Sequence, residues 1–387
     1  MKVSILVSDL SENPIVRVYP IAKVLERNYS VEIIGPIFAK KIFPAYASEF
    51  TFKTIRGCNY PGFFRQIWEI VKKIEGDVIY AFKPRPSSFF PGLLASWLRR
   101  IPLLVDIDDY ELAPYDEMKK FMARSAFFER FILRGWKAPN DYKYTVLANK
   151  LVRFASQIVV VSDNLQRRFG GMKLYHGVDT DFFDPYRCSH RNQLRKKWQI
   201  PFQERVILFA GTPRSHKGLD DLLRAMALVD SKHRLSLLVV GGKLNGQIQE
   251  SLLNKMRSRI REVEYQPHKV MPELLHLCDL VVLPQKKSPI SKAQVPAKVF
   301  EAMAMAKPII ATAISDLPEI LKDCGIIIKP GDVEDLAKNI QYLVENPRVS
   351  HMMGEKARKN CIESYSYEAL AKMLIPVFQQ FEKRHHL

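Results

Sequence analysis

Residues Pro296–Ile320 read PAKVFEAMAMAKPIIATAISDLPEI, and this stretch decides the predicted fold. It predicts a short loop, a helix of small and apolar residues ended by Lys-Pro, the apolar strand Ile309–Thr312, and then another loop and helix. One acid, Glu301, lies near the start of the first helix without an obvious role in a core. Ligands of open α/β folds bind beside helix starts above the carboxyl ends of strands, so Glu301 is the first candidate functional residue.

The same alternation of strand and helix runs through the whole chain. Apolar runs such as Val3–Val7, Val78–Ala81 and Leu103–Ile107 are separated by helical patterns in the first half. A second series begins with the strand Val206–Ala210, after the polar and basic segment Tyr186–Gln203. This alternation predicts an α/β fold with parallel sheets that are covered by helices on both faces.

The two series predict two Rossmann-like domains that face each other across a cleft. A length of 387 residues suits two domains of about 150–200 residues each. We place the first at residues 1–185 and the second at 186–365, and expect the final helix, 366–387, to pack back on the first domain. In the second series, the pattern predicts a long helix over Ile248–Arg261.

The composition is strongly basic. The formal net charge is +18, and such an excess attracts nucleic acid, anionic lipid or phosphorylated small molecules. No apolar run is long enough to span a bilayer, and the first one is too short for a signal peptide. The cysteines are scattered, without a CxxC pair, which indicates reduced thiols in the cytoplasm.

The segment Met118–Arg153 interleaves basic residues with bulky apolar ones, among them Phe128, Phe131 and Trp136. Basic amphipathic helices of this kind can lie in a membrane interface. The alternative is that the aromatic residues belong to the core and the charges to a solvated face. We predict that this segment contacts an anionic membrane surface. The protein would then be cytoplasmic and peripheral, on the inner face of the membrane.

The loop Gly211–Gly218, GTPRSHKG, links the strand Val206–Ala210 to a predicted helix that starts at Leu219. Backbone amides at a helix start, together with the cations Arg214 and Lys217, suit a phosphate group. The spacing is not that of a Walker A loop, and a solvated basic turn is the alternative. A carboxylate such as Glu301 can accept hydrogen bonds from both ribose hydroxyls, so loop and acid together predict a nucleotide-diphosphate site.

These two regions also carry a resemblance to a known family. FAGTPRSHKGLDDLLRA (209–225) and VPAKVFEAMAMAKPIIATAISDLPEI (295–320) resemble the donor domain of the family-4 retaining glycosyltransferases, or glycosyl transferases group 1, which have the GT-B fold. YHGVDTDFFDP (175–185) resembles the segment that leads into the second domain of that family. The resemblance implies transfer of a sugar from a nucleotide-diphosphate sugar, with retention of configuration and without a cofactor or an obligatory metal.

The resemblance assigns residues to the donor by position. Lys217 would bind the donor diphosphate, and Glu301 would bind the nucleotide ribose. The other expected donor-binding residues lie in the same two regions: Gly211, Thr212, Arg214, His216, Val295, Pro296 and Lys298. The family often has a second glutamate eight positions before the first, where this chain has Ala293, so Ser291, Lys292 or a backbone amide is the expected substitute.

An acidic run, Asp106-Ile107-Asp108-Asp109, follows a strand of the first domain. An Asp-x-Asp pair can chelate a divalent metal, but that arrangement belongs to the other major glycosyltransferase fold, so we predict no metal site. Asp108 aligns with the acceptor-side histidine of the family. We therefore predict that Asp108, Asp109 and Lys217 are catalytic, the acids by stabilising positive charge or accepting hydroxyl hydrogen bonds.

The acceptor side is predicted from two further loops. Asn13 lies in the first loop, and Lys83 and Arg85 follow the strand Val78–Ala81. The two cations can hold an acceptor phosphate, and a rigid turn is the alternative.

The sequence predicts a hexosyltransferase-type enzyme that acts on a lipid-linked or glycan acceptor, in polysaccharide or glycolipid biosynthesis. Two other functions stay open: a nucleotide-sugar epimerase of the same fold, and a non-catalytic module that binds a polyanion or a membrane. No segment resembles a nucleic-acid recognition motif, so nucleic acid is not an expected partner.

Overall fold

The computed structural model describes residues 1–12, 14–43, 49–133, 135–188, 190–230, 232–244 and 248–385. The chain divides into two compact units. The first unit contains Met1–His176 together with the chain from Leu370 onward, and the second contains Gly177–Ala369. Each unit is a parallel sheet with helices, as the strand–helix alternation predicts.

The first sheet has the strand order β3-β2-β1-β4-β5-β6-β7 within the described residues. Every pairing in it is parallel. Its central strands are buried along their whole length because helices cover both faces, which is why they read as continuous apolar runs. The strands are β1 (Lys2–Val7), β2 (Ser30–Ile37), β3 (Phe52–Arg56), β4 (Val78–Phe82), β5 (Leu103–Ile107), β6 (Gln157–Val160) and β7 (Met172–Lys173).

The helices of the first unit connect these strands. They are α1 (Ile15–Leu25), α2 (Gly62–Lys73), α3 (Pro86–Arg99), α4 (Ala113–Phe121), α5 (Arg124–Phe127), α6 (Tyr142–Leu151) and α7 (Asp163–Phe169), and a π-helical segment, Phe128–Leu133, follows α5. The last helix, α17 (Tyr367–His385), returns to this unit. Its Phe378 ring lies 5.6 Å from the ring of Tyr29 and 6.0 Å from that of Tyr80, between centroids.

The second sheet has the order β10-β9-β8-β11-β12-β13 within the described residues, and it is also parallel. Its strands are β8 (Arg205–Ala210), β9 (Leu235–Val240), β10 (Ile260–Val263), β11 (Leu280–Leu283), β12 (Ile309–Thr312) and β13 (Ile326–Ile328). The helices are α8 (Arg191–Lys197), α9 (Leu219–Leu228), α10 (Glu250–Met256), α11 (Met271–Leu277), α12 (Pro289–Ala293), α13 (Lys298–Ala304), α14 (Leu317–Ile320), α15 (Val333–Glu345) and α16 (Pro347–Ser364).

The strand order reverses once in each sheet, between β1 and β4 in the first unit and between β8 and β11 in the second. At such a point the loops that leave the two strands diverge and open a crevice at the carboxyl ends, where α/β proteins bind ligands. The loop Gly211–Gly218 emerges from β8 at this point, and Lys83 directly follows β4.

One predicted element is wrong in part. The helix expected over Ile248–Arg261 ends at Met256 as α10, and Ile260–Val263 form the edge strand β10. The strand is hard to recognise because two of its four residues are charged. Arg261 pairs with Glu204 at 3.0 Å, and Glu262 accepts a hydrogen bond from the backbone amide of Leu244 at 2.9 Å.

A buried ion pair joins three parts of the first unit. The Arg17 guanidinium, on α1, donates to the Asp106 carboxylate, on β5, at 3.1 and 3.2 Å, and to the carbonyl oxygens of Leu174 and Tyr175, each at 2.8 Å. The Tyr80 hydroxyl donates to the same carboxylate at 2.9 Å. Burial alone would lower the pKa of Arg17, but the charge of Asp106 offsets it and the pKa is raised. The guanidinium therefore stays charged in the core.

We predict that Asp106→Ala strongly destabilises the first unit, because it leaves the Arg17 guanidinium buried without a counter-charge. Removing one partner of a buried pair costs about 3–5 kcal/mol. Urea denaturation measures the loss. Arg65→Ala, on α2 of the same unit, is the control; it removes an exposed pair with Glu69 at 3.1 Å and should change the stability by less than about 0.5 kcal/mol. Equal losses for the two variants would contradict a structural role for the buried pair.

Candidate active site

Two glycines shape the loop that leaves β8. Gly211 has φ 125° and Gly218 has φ 68°, in the region that side chains disfavour. The Gly211 amide donates to the carbonyl of Val240 at 2.8 Å. A Cβ atom on Gly218 would lie 1.8 Å from the carbonyl oxygen of Pro284, just after β11. Glycine at 218 thus lets the loops after β8 and β11 touch at the point where the strand order reverses.

A second glycine pair, Gly241-Gly242, follows β9 and was not predicted as part of the site. Both residues have positive φ, at 114° and 147°. A Cβ on Gly241 would lie 3.1 Å from the backbone carbon of Gly211, and one on Gly242 would lie 3.3 Å from Pro213 Cδ. Consecutive glycines directly after an apolar strand often mark a close approach of backbone or ligand, so the sequence did contain a signal for them.

The predicted phosphate-binding cations lie in this loop. The Lys217 ammonium is 3.0 Å from the point where a Gly211 Cβ would be, so it lies over the start of the loop. The Arg214 side chain is exposed and makes no hydrogen bond or ion pair with any residue that the structure describes. His216 is buried, and its carbonyl accepts the Lys286 amide at 2.8 Å, which ties the loop again to the chain after β11. Thr212 is exposed. The loop thus presents two cations at the start of the ten-residue helix α9.

Glu301 is buried on α13 and is paired with Lys298. The ammonium lies 2.8 and 2.9 Å from the two carboxylate oxygens, since residues three apart share a helix face. The preceding Val295 is buried and Pro296 is half-buried. Each carboxylate oxygen retains a further lone pair, so the acid can accept hydroxyl hydrogen bonds while Lys298 neutralises its charge. Lys298, which the sequence predicts to lie beside the phosphates, is instead paired with the Glu301 carboxylate.

Tyr265 is a neighbour of Glu301 that sequence reasoning missed. Tyr265 is about half exposed, and the burial of its remaining surface together with the negative charge of Glu301 raises the pKa of Tyr265 to about 12. The phenol therefore stays protonated and can donate a hydrogen bond. Tyr265 lies two residues after the strand β10, whose first half the sequence pattern predicts as the end of a helix. Recognition of that strand would have placed Tyr265 at a carboxyl end.

The position where the family often has a second glutamate is buried in this chain. Ala293 is fully buried. The hydroxyl of Ser291 donates to the carbonyl of Lys286 and accepts the Ser288 amide at 3.0 Å, as part of the cap of α12. Of the two side chains expected as substitutes, Ser291 is therefore engaged in local structure, whereas Lys292 is exposed.

In the first unit, Lys83 lies among three carboxylates. Its ammonium donates to Asp109 and lies 3.1 Å from Asp108 Oδ1 and 3.2 Å from Glu111 Oε1. Burial alone would lower the pKa of Lys83, but these acids raise it above the ordinary value. Its backbone is left-handed, with φ 66°, and its amide donates to the Asp106 carbonyl at 2.8 Å. Such strain in a non-glycine residue is typical of functional sites.

Asp108 combines burial with unused hydrogen-bonding capacity. Burial raises its pKa to about 6, against the opposing charge of Lys83, and the nearby acids add to the increase. Its Oδ1 atom makes no hydrogen bond with a described residue, although Lys83 is close. A carboxyl with these properties can exchange a proton near neutral pH or accept a hydroxyl hydrogen bond.

The two cations predicted to hold an acceptor phosphate are already paired with acids. Arg85 donates to Glu111 at 2.6 Å and lies 3.9 Å from Glu12. The charge of Glu111 raises the pKa of Arg85, while burial opposes it. A phosphate would thus have to compete with these carboxylates. Asn13, the third predicted acceptor-side residue, lies outside the described residues.

The predicted membrane segment divides into buried and exposed aromatic residues. Phe127 is buried and packs on Phe131 and Tyr142, with ring centroids 4.8 and 5.3 Å apart. Phe128 and Trp136, in contrast, are exposed. Part of the segment therefore forms a small core, as the alternative held, and part leaves apolar surface open. Among the described residues, no helix has the length and apolar character needed to cross a bilayer.

Comparison with known proteins gives the class. Residues 190–360 match the family model "Glycosyl transferases group 1". A solved structure of HepE from Anabaena, in complex with UDP-glucose, is similar over 98% of this chain and 100% of its own, with a TM-score of 0.74 and 18% identity. The fold is thus GT-B, and residues 190–360, within the second unit, are similar to the group 1 glycosyl transferases.

Two curated relatives agree with this class. The glycosyltransferase MJ1607 of Methanocaldococcus jannaschii is 23% identical over 211 residues, which is 53% of each chain. The matched segment thus spans about half the length of that relative. The putative glycosyltransferase EpsD of Bacillus subtilis is 22% identical over 357 residues, covering 84% of this chain and 92% of its own.

We predict that Gly218→Ala destabilises the second unit more than Gly331→Ala does. Both glycines have positive φ, at 68° and 83°, but a Cβ at 331 would meet nothing within 4 Å. The control should lose about 1 kcal/mol from backbone strain, and Gly218→Ala a further 1–3 kcal/mol, roughly, from the collision with Pro284. Thermal unfolding measures both. Equal losses would show that the two loops do not touch.

The raised pKa of Asp108 predicts a pH-dependent stability. The folded state binds the Asp108 proton more tightly than the unfolded chain does, so this contribution is full below about pH 4 and is lost as the pH rises through about 6. Between pH 4 and 7 the wild type should lose about 1–3 kcal/mol relative to Asp108→Asn, which cannot ionise. Urea denaturation of both proteins at several pH values measures the difference. A difference that stays constant with pH would contradict the raised pKa.

Proposed function

We propose that the protein is a retaining glycosyltransferase that uses a nucleotide-diphosphate sugar. The observation that supports this best is the second unit, where a glycine-shaped loop with Lys217 and Arg214 lies at the point of strand reversal, in the same unit as the Glu301–Lys298 pair. Cations and a helix start suit a diphosphate, and a carboxylate suits a ribose. The HepE structure was solved with UDP-glucose bound, so UDP-glucose is the first donor to test.

In the proposed reaction, Lys217 and Arg214 stabilise the diphosphate as the bond between it and the sugar C1 breaks. The acceptor oxygen bonds to C1 on the face that the diphosphate leaves, which retains the configuration. The leaving phosphate oxygen takes the acceptor proton. Because protein cations neutralise the charge that builds on the diphosphate, the proposal includes no obligatory metal and no other cofactor.

The acids of the first unit are proposed to act on hydroxyl groups. Asp108 has an oxygen without a hydrogen-bond partner among the described residues and a pKa near 6. It therefore suits a contact to a sugar or acceptor hydroxyl, with Asp109 and Lys83 fixing the local charge. We propose a lipid-linked or glycan acceptor at the cytoplasmic face of the membrane, because the segment Met118–Arg153 combines cations with exposed Phe128 and Trp136.

The donor site predicts the effect of two substitutions. Lys217→Ala removes the positive charge that would bind the diphosphate, and Glu301→Gln removes the carboxylate that would bind the ribose. Each should weaken UDP-glucose binding and lower donor turnover about 10–100-fold, since a charged hydrogen bond contributes about 1.5–3 kcal/mol. Calorimetry and release of UDP measure the two effects. Lys338→Ala, at an exposed cation on α15 of the same unit, is the control and should behave as wild type.

Three results would contradict the proposal. Full activity of both variants would show that Lys217 and Glu301 do not bind the donor. Activity that is abolished by EDTA and restored by a divalent metal would remove the metal-independent mechanism. Interconversion of free nucleotide-sugars without any acceptor would indicate an epimerase instead, an alternative that the family matches do not favour.

A further inference from the structure

A large apolar groove opens on the first unit where α2 and α6 pack against α3. It has a cavity volume of about 780 Å³, within the range of small-molecule sites. Its lining is almost entirely apolar, and the side chains that matter here are Ile67, Leu94, Trp97, Leu147 and Phe154, with Arg100 as the one charged member. No function proposed above uses this groove.

The groove leaves large apolar side chains open to solvent. Trp97 is 78% exposed and Phe154 is 57% exposed. Leu147, which also lines the groove, is 46% exposed, and the same three helices expose Phe64, Trp68 and Leu98 as well. Exposed apolar surface of this kind is unfavourable in water and is typical of a site that another apolar surface covers. No part of the chain that the structure describes covers these side chains.

Cations border the groove. Arg100 lines it and makes no hydrogen bond or ion pair with the described residues. The Arg153 guanidinium lies 5.0 Å from the centroid of the Phe154 ring. Glu69, an acid of α2, is already paired with Arg65 at 3.1 Å. An apolar interior with cations at its border is complementary to hydrocarbon chains that carry an anionic phosphate.

The groove lies away from the acids of the candidate active site. Helix α3 starts just after Lys83, at the carboxyl end of β4, and runs back to the amino end of β5. Trp97 and Arg100 are at its far end, about 20 Å from its start for a helix of this length. Phe154 likewise comes just before β6 begins. A lipid held here would have its head group far from Asp108, which favours a docking lipid over a reacting acceptor.

We propose that this groove binds the hydrocarbon chains of anionic phospholipids in a bilayer, with Arg100 and Arg153 at the lipid phosphates. The inference rests on the proposed function only in placing the enzyme at a membrane. It adds a contact through α2, α3 and α6 to the membrane contact proposed for Phe128 and Trp136. The side of the first unit that contains the amino ends of β5 and β6 would then face the bilayer.

The test uses the full chain and vesicles of phosphatidylcholine, with or without phosphatidylglycerol. Trp97→Ser with Phe154→Ser should lower co-sedimentation with the anionic vesicles about tenfold, because two exposed aromatic contacts are lost. Phe202→Ser, at an exposed phenylalanine of the second unit, is the matched control and should bind as wild type. Arg100→Gln with Arg153→Gln should remove most of the preference for anionic over neutral vesicles.

Phospholipids with brominated chains add a direct measurement. They should quench the tryptophan fluorescence of the wild type and quench the Trp97→Ser protein less, because Trp97 would lie among the chains. UDP-glucose binding without vesicles is measured for every variant, so that failure of the donor site is distinguished from failure of the groove.

Three results would overturn the inference. Unchanged vesicle binding of the Trp97/Phe154 variant would show that the groove does not contact lipid. Loss of binding only in a Phe128→Ser, Trp136→Ser variant would assign the membrane contact to the other surface. A wild-type dimer that Trp97→Ser dissociates, seen by sedimentation, would show that a second copy of the chain covers the groove.

Discussion

The first unit depends on the buried pair between Arg17 and Asp106. The Asp106 carboxylate binds the guanidinium of α1 and, through it, the carbonyls of the chain after β7. The Asp106 carbonyl also accepts the amide of Lys83, whose left-handed backbone turns the chain from β4 into α3. One residue therefore fixes the core on one side and the lysine–carboxylate cluster on the other. Because charges are costly to bury, this arrangement persists only with every partner in place.

The second unit is constrained in a different way, by backbone contact. Gly218 lies against the carbonyl of Pro284, where a Cβ would collide, and Gly241 lies close to Gly211 with a positive φ that side chains disfavour. The close approach holds Lys217 and Arg214 at the start of α9. Glu301, on α13 of the same unit, is a charge-paired acid, since Lys298 shares its helix face. Partial burial and the charge of that acid raise the pKa of its neighbour Tyr265.

Strand–helix alternation was enough to predict two parallel sheets, since buried parallel strands are apolar throughout and stand out in the sequence. The edge strand Ile260–Val263 was not predicted, because its charged residues interrupt the apolar pattern. Without that strand, Tyr265 could not be placed at a carboxyl end of the sheet. The motifs located Glu301 and the Gly211–Gly218 loop. The pairings of Lys83 and Arg85 with acids could not be predicted, because they join β4 to the loop after β5, and no local pattern records which strands are neighbours.

The sequence by itself determined the α/β class, the similarity of the second unit to the group 1 glycosyl transferases, and the two loops that form the candidate donor site. Each of these follows from local patterns and short motifs. Tertiary structure decided which charges neutralise one another and which aromatic residues are buried. Phe127 is enclosed while Trp97 is open, although both lie in apolar, basic surroundings in the sequence. Burial depends on what the neighbouring helices cover. Only the packing of α2, α3 and α6 shows the groove beside Trp97.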